Sequence, residues 1–199
     1  MKFEFPLQKG KWIKRYKRFM VDLTLPDGSE LTVHSANTGS MKNCYVEGGD
    51  AWYWDSKNEK RKYPHSLELT QTPSGHVACI NTSRPNYLAV EAIENSTVKE
   101  LQDYTELKTE VRYGDEKSRI DIFLSGGEKD IYVEVKNTTL LEKTIDSQPH
   151  EHGNTDEGVG YFPDSVSERA SKHLRELIRM VELGHRGVIF FCVNRRRSV

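Results

Sequence analysis

The strongest constraint on this chain is a change of hydrophobic period near residue 86. Before it, apolar residues recur only in short alternating runs, with no amphipathic helix of any length. After it, helical and strand periods follow in one order: helix, three strands, helix, strand. The first half therefore reads as a small β structure. From Trp12 to Leu25 apolar and polar residues alternate, Pro26-Asp27-Gly28 supplies a turn, and Glu30 to His34 alternates again, which predicts a hairpin. Further β-prone runs lie at Ala51–Asp55, Ser66–Thr72 and His76–Asn81. About five short strands without a helix predict a small closed barrel of the OB or SH3 kind.

In the second half, Asn86 to Leu101 reads as a helix, with Leu88, Ala92 and Ile93 on one side and Tyr87, Glu91 and Glu94 on another. Thr109–Tyr113, Ser118–Leu124 and Asp130–Lys136 are three strands joined by Gly-rich polar turns. Ser165-Val166-Ser167-Glu168 forms a capping box for a helix with Val166, Ala170, Leu174, Leu177, Ile178 and Val181 at helical spacing, stopped by Gly184. Val188 to Val193, VIFFCV, is a continuously apolar strand.

Composition narrows the class. The chain has 199 residues, 29 Lys+Arg against 30 Asp+Glu, and is 36% apolar. No stretch approaches the ~20 apolar residues of a bilayer span, and the start lacks the apolar core of a secretory signal, so the expectation is a cytoplasmic protein with no membrane partner. Cys44, Cys79 and Cys192 are far apart and share no C-x-x-C spacing, which argues against disulfides or a zinc knuckle and reads as buried thiols.

Near-neutrality hides an asymmetry. Residues 1–86 carry 13 bases and 9 acids, whereas residues 87–199 carry 16 and 21. Lys2, Lys9, Lys11, Lys14, Arg15, Lys17 and Arg18 face only Glu4 within the first twenty residues, with Trp12, Tyr16 and Phe19 among them. Basic side chains neutralise phosphates and aromatic faces stack on bases, so the run suits nucleic acid. It equally suits a solvated strand kept soluble by lysine. A second basic cluster, Lys57, Lys60, Arg61 and Lys62, follows Trp52-Tyr53-Trp54; Trp52 and Trp54, two apart and on one face, are read as core.

The chemistry-bearing pattern is D-x12-E-x-K: Asp121 on the second strand of the meander, Glu134 and Lys136 on the third. Period 2 places Glu134 and Lys136 on the face opposite Val133 and Val135, away from the core. Two carboxylates on adjacent strands can hold a hard divalent cation, Mg²⁺ or Mn²⁺, and a lysine beside them can orient a water and stabilise developing charge. Glu91 could add a third carboxylate. Arg169, Lys172, His173 and Arg175 form a basic face on the later helix, open to phosphates or to helix salt bridges with Glu168 and Glu176.

The αβββαβ order with D…E-x-K resembles the PD-(D/E)xK nuclease superfamily. More narrowly, Asn37-Thr38-Gly39-Ser40-Met41, KRKYPHSLELTQ from Lys60, EAIEN from Glu91, EVRYGDEKSRIDIFL from Glu110, YVEVKNTTL from Tyr132, YFPDSVSERASKHLREL from Tyr161 and RGVIFFCV from Arg186 resemble, in order, the sugar fermentation stimulation protein A family. The resemblance implies an α+β / α/β chain: an N-terminal OB-fold-like β-barrel over residues 1–85, followed by a restriction-endonuclease-like domain over 86–199. It implies DNA as partner, a regulatory link to sugar (maltose) utilisation, and Asp121, Glu134 and Lys136 as nuclease-core positions with Glu91 the helical acid. The nucleic-acid contacts expected on this reading are Lys11, Lys14, Arg15, Lys17, Arg18, Lys60, Arg61, Lys62, Arg169, Lys172 and His173, and the metal ligands Asp121, Glu134 and Glu91.

Two departures bear on this. Residues 142–160 are longer and more polar than the family's connection and read as a mobile loop; His150-Glu151-His152 with Asp156 and Glu157 would be a transition-metal site or simply disordered chain. The chain also stops soon after the VIFFCV strand, where family members continue, so an exposed sheet face, covered by a homodimer or left by truncation, is expected. Two functions compete: a weakly sequence-specific, divalent-metal-dependent nuclease, and a catalytically silent DNA-binding regulator that retains the scaffold.

Overall fold

A computed structural model describes residues 3, 5–116, 118–142, 159–161 and 168–196. Asp164, the cap at Ser165, and the histidines and acids of residues 150–157 lie outside these residues, as does the side chain of Arg169. In chain order the first strands are β1 (Gln8–Tyr16), β2 (Met20–Thr24), β3 (Glu30–Ser35), β4 (Asp50–Asp55), β5 (His65–Gln71) and β6 (Val77–Cys79). There follow α1 (Arg84–Glu94), β7 (Glu106–Tyr113), β8 (Ser118–Ser125), β9 (Ile131–Thr138), β10 (Leu140–Glu142), β11 (Val159–Tyr161), α2 (Glu168–Glu182), β12 (Arg186–Val193) and β13 (Arg195–Arg196). No helix among the described residues is long and apolar enough to cross a membrane.

These elements form two compact units. Of the described residues, one joins those up to 82 to 138–142, 159–161 and 193–196, and the other joins 83–137 to 168–192. The boundary thus falls between Thr82 and Ser83, a few residues before the expected 85/86, and two later stretches of chain return to the first unit.

In the first unit the strand order is β5-β3-β2-β1-β4, and β4 pairs with β5 as well as β1, so five strands close into a barrel. A parallel pairing, His34 with Ser66 and Ser35 with Leu67, joins β3 to β5 and gives the OB connectivity. β6 extends the sheet from β5, and β13 adds to β6 with Arg195 opposite Ala78. Trp12, Val21, Leu23, Val33, Ala51, Tyr53 and Leu67 fill the interior. Ala51 and Tyr53 point inward, so Trp52 and Trp54 are turned outward and half-buried, against the expectation that they are core. Lys9 lies over the Trp52 ring, Arg61 over Trp54, and Phe5 stacks on Trp54.

The run Trp12–Leu25, expected as one strand, breaks into β1 and β2 at Lys17 and Arg18, which hold left-handed φ of 49° and 67°. A turn of this hand usually takes Asn-Gly, and here the cost is offset by Arg15, whose guanidinium donates to the carbonyl of Arg18. Cys44 is buried, but Cys79 and Cys192 are partly exposed, and all three are free thiols, so burial holds for only one.

In the second unit the sheet order is β12-β9-β8-β7. α1 is shorter than the expected helix: it ends at Glu94, and a separate 3-10 turn spans Lys99–Leu101. Its Ala89 and Ile93 pack on Ile122, Leu124, Ile131 and Val133. Leu177 and Met180 of α2 pack with Tyr113 and Ile120, flanked by Phe123 and Tyr132. Ile189 and Phe191 of β12 and Ile178 and Val181 of α2 remain exposed, so β12 is not buried on both faces despite its continuously apolar run.

Gly114 opens the turn between β7 and β8 at φ 66°, and a Cβ there would stand 1.7 Å from Oε2 of the buried Glu176, whose Oε1 accepts the Glu116 amide at 2.6 Å. Gly184 closes α2 at φ 94° with nothing within 4 Å of its Cβ position. Both substitutions by alanine incur the left-handed cost of about 1–2 kcal/mol, but Gly114→Ala also displaces Glu176. Urea unfolding is expected to show Gly114→Ala losing roughly 3 kcal/mol or more, at least twice the loss in Gly184→Ala; equal losses would contradict this account of the turn.

Candidate active site

The site forms where β8 and β9 separate. Their pairing runs from Leu124 with Ile131 to Ile122 with Val133. At the next step the backbone bond is replaced by a side chain: Oδ2 of Asp121 accepts the Val135 amide at 2.7 Å. Oδ1 of Asp121 accepts from the Asn86 amide of α1 at 3.0 Å. A polar carboxylate can stay at this half-buried position because two donors hold it.

Across the gap stands Glu134, only 3% exposed. Its Oε1 accepts from the Lys136 ammonium at 2.5 Å and from Nδ1 of His173 on α2 at 2.6 Å. Its Oε2 is buried and has no hydrogen-bond partner among the described residues. Both donors thus converge on one oxygen, leaving the other's lone pairs for an electropositive group. Tyr113 braces α2 here by donating its hydroxyl to the His173 carbonyl at 3.4 Å.

The electrostatics agree with this geometry. Burial, and then the Glu134 charge, raise the Asp121 carboxyl above the ordinary aspartate range, against the lowering effect of Val135, Asn86 and Lys136. Burial raises the Tyr113 phenol, and the charges of Glu134, Glu176 and Asp121 raise it further, so it stays a neutral donor. Two repelling carboxylates with one unpartnered oxygen make a cation-seeking pair. Among the described residues no three His, Cys, Asp or Glu side chains are arranged to hold a metal, so Glu91, exposed on α1, does not complete a three-ligand cage with Asp121 and Glu134. A two-carboxylate donor set suits Mg²⁺, which keeps several waters and takes further oxygens from substrate phosphates.

Of the expected residues, Asp121, Glu134 and Lys136 therefore meet. His173, expected to face phosphates, is instead bonded to Glu134. Asn86 was missed, and both it and His173 left a signal: each polar residue sits on its helix's apolar stripe, Asn86 in line with Ala89 and Ile93, His173 with Leu177 and Met180.

The basic residues of the barrel mostly have partners within it. Lys11 pairs with Asp50 at 2.6 Å, as does Lys9 at 2.7 Å, and Lys14 with Asp22 at 3.6 Å. Arg15 donates to the carbonyls of Asn37 and Gly39, and Arg18 to that of Thr38, so both clasp the 37–41 loop. Arg61 donates to Ser66, Lys62 lies over Tyr63, and Lys17 and Lys60 are exposed. On α2, Lys172 donates to the Glu116 carbonyl and Arg175 pairs with Glu116 at 3.3 Å.

Comparison with known proteins finds the same two parts. Residues 13–80 match the SfsA N-terminal OB domain, and residues 83–198 match the sugar fermentation stimulation protein RE domain. A sugar fermentation stimulation protein homolog from Saccharophagus degradans is 53% identical over 194 residues, covering 98% of this chain and 78% of that protein. One from Aliivibrio fischeri is 50% identical, covering 97% and 77%. The solved structure of Pyrococcus furiosus SfsA in complex with Ca²⁺ aligns with a TM-score of 0.77 at 23% identity, over 98% of this chain and 75% of that one.

In EDTA, Asp121→Ala strands the buried Val135 amide and is expected to lower stability by about 1–3 kcal/mol. Asp121→Asn keeps an oxygen for that amide and removes the repulsion, so it should be no less stable than wild type at neutral pH. Because the folded carboxyl is raised, wild type binds its proton more tightly folded than unfolded and loses stability as pH rises through and above the ordinary aspartate range. The advantage of Asp121→Asn should therefore open with rising pH in thermal melts. A constant difference from acid to neutral pH would refute it.

Proposed function

Because the chain belongs to the sugar fermentation stimulation protein family, we propose that it is a DNA-binding protein whose second unit hydrolyses phosphodiester bonds with a bound Mg²⁺ or Mn²⁺. The observation that carries this reading is the buried, unpartnered Oε2 of Glu134 beside Asp121, with Lys136 on the same carboxylate. The Ca²⁺ in the structure of the Pyrococcus furiosus relative supports a hard cation here as well.

On this reading Asp121 and Glu134 would hold the cation, which would supply Lewis acidity toward a water and toward phosphoryl oxygens when bound. The chain's own residues do the rest. Val135 and Asn86 fix Asp121, and His173 fixes Glu134, so the two carboxylates are oriented before substrate arrives. Lys136 sets a positive charge at the rim, where it steadies negative charge as the phosphorus centre becomes five-coordinate. The barrel supplies affinity. Its lysine–acid pairs are surface pairs, Lys9, Lys11 and Lys14 being 54–65% exposed, and such pairs are worth about 0–1 kcal/mol, so phosphates can displace the acids.

The silent-regulator reading shares the DNA grip and differs only at the metal. Purified protein is expected to cleave DNA in Mg²⁺ or Mn²⁺ and to bind it without cleavage in Ca²⁺. Glu134→Gln should abolish cleavage and weaken Mn²⁺ binding by calorimetry at least tenfold while leaving DNA affinity in Ca²⁺ within about threefold. Cleavage by that variant at wild-type rate would overturn the nuclease assignment, and absence of cleavage by wild type with intact DNA binding would leave the regulator.

A further inference from the structure

Among the described residues, most arginine side chains are held by the protein. Arg15, Arg18, Arg61, Arg175, Arg179 and Arg186 each donate to an acceptor. Arg112 and Arg119 do not: both are exposed, and neither has a hydrogen bond, ion pair or ring contact among the described residues. They are also directly opposite each other, Arg112 on β7 facing Arg119 on β8. Opposed residues of an antiparallel pair have their Cβ atoms about 4.5–5.5 Å apart, and like charges at that spacing destabilise the sheet. Glu110, the acid nearest to Arg112 in sequence, lies in the left-handed region at φ 55° and pairs with neither. The fold thus sets two exposed arginines at opposed positions with no described residue to neutralise them, at a cost that an anion between them would remove.

The position says which anion. Arg119 is two residues from Asp121 along β8, about 7 Å of strand. We propose that Arg112 and Arg119 form a phosphate clamp, a site for the phosphodiester group next along the strand from the one facing Asp121 and Glu134. This rests on the nucleic-acid reading above and adds to it a positioning site outside the metal-binding carboxylates. A guanidinium fork matches phosphate oxygens bidentately, so a pair of them fixes the register of the backbone while carrying no information about base sequence.

The test uses the full chain, a labelled DNA oligonucleotide and Ca²⁺, with affinity measured across a salt series. Arg112→Gln with Arg119→Gln is expected to weaken binding roughly ten- to a hundredfold at low salt and to make the log–log salt slope shallower by about 1–2. The same double variant, without DNA, should melt at or above the wild-type temperature, because it removes a repulsive pair. Each single variant, at an exposed position, should shift both readouts in the same directions by a smaller amount. Wild-type affinity and slope in the double variant, or a lowered melting temperature in the singles, would overturn the clamp while leaving DNA binding intact. Wild-type protein that binds no DNA would overturn both the clamp and the function it rests on.

Discussion

The second unit depends on one substitution in a hydrogen-bond ladder: where β8 and β9 part, the carboxylate of Asp121 takes the Val135 amide that a backbone carbonyl would otherwise receive. A buried amide cannot be left unpaired without a cost of about 1–3 kcal/mol, so the acid is part of the sheet as well as part of the site. The opening it props apart admits Glu134, and α2 then closes over the gap with His173 on that carboxylate and Leu177 and Met180 on the apolar cluster beneath. The same contact that lets the sheet split thus also assembles the chemistry. It follows that a chain which had lost catalysis would still have reason to keep a hydrogen-bond acceptor at position 121, and that Glu134, with its unpartnered oxygen, is the more informative residue about activity.

Much of this was legible in the residues. The D-x12-E-x-K spacing placed three side chains together because hairpin distance and period 2 fix which residues of neighbouring strands meet. The barrel was legible as short alternating runs between turn residues. What stayed hidden had physical reasons. Lys17 and Arg18 turn left-handed with no Gly or Asn to announce it, because the arginine at 15 holds the turn from a distance in sequence. Period 2 puts Trp52 and Trp54 on one face but does not say which face is inside; that was decided by Ala51 and Tyr53, whose sizes fit the small interior with Val21 and Leu67. Glu91 looked like the helical acid, yet the helix turns Asn86 toward Asp121 instead, since Ala89 and Ile93 are the residues that must face the sheet.

Charge is similarly divided between what holds the chain together and what remains for a ligand. The dense basic run at the start looked like a docking strip, but Arg15 and Arg18 are consumed in clasping the 37–41 loop, and the lysines have exchangeable partners. A count of bases therefore overstates the available positive surface, and two further exposed bases, Arg112 and Arg119, lie elsewhere, on β7 and β8.

The barrel draws on distant parts of the chain: β13 completes the edge at β6, and β10 with β11 belongs to the same unit, although α1, the whole meander and α2 intervene. During synthesis, β1 to β6 emerge well before those later segments exist. The five barrel strands can close among themselves, but the β6 edge stays unpaired until the remainder has been translated and is exposed to neighbouring nascent chains. Severing the gene between the two units would therefore yield a first fragment short of its own strands, so these parts are inseparable at the level of biogenesis even where their chemistries divide cleanly.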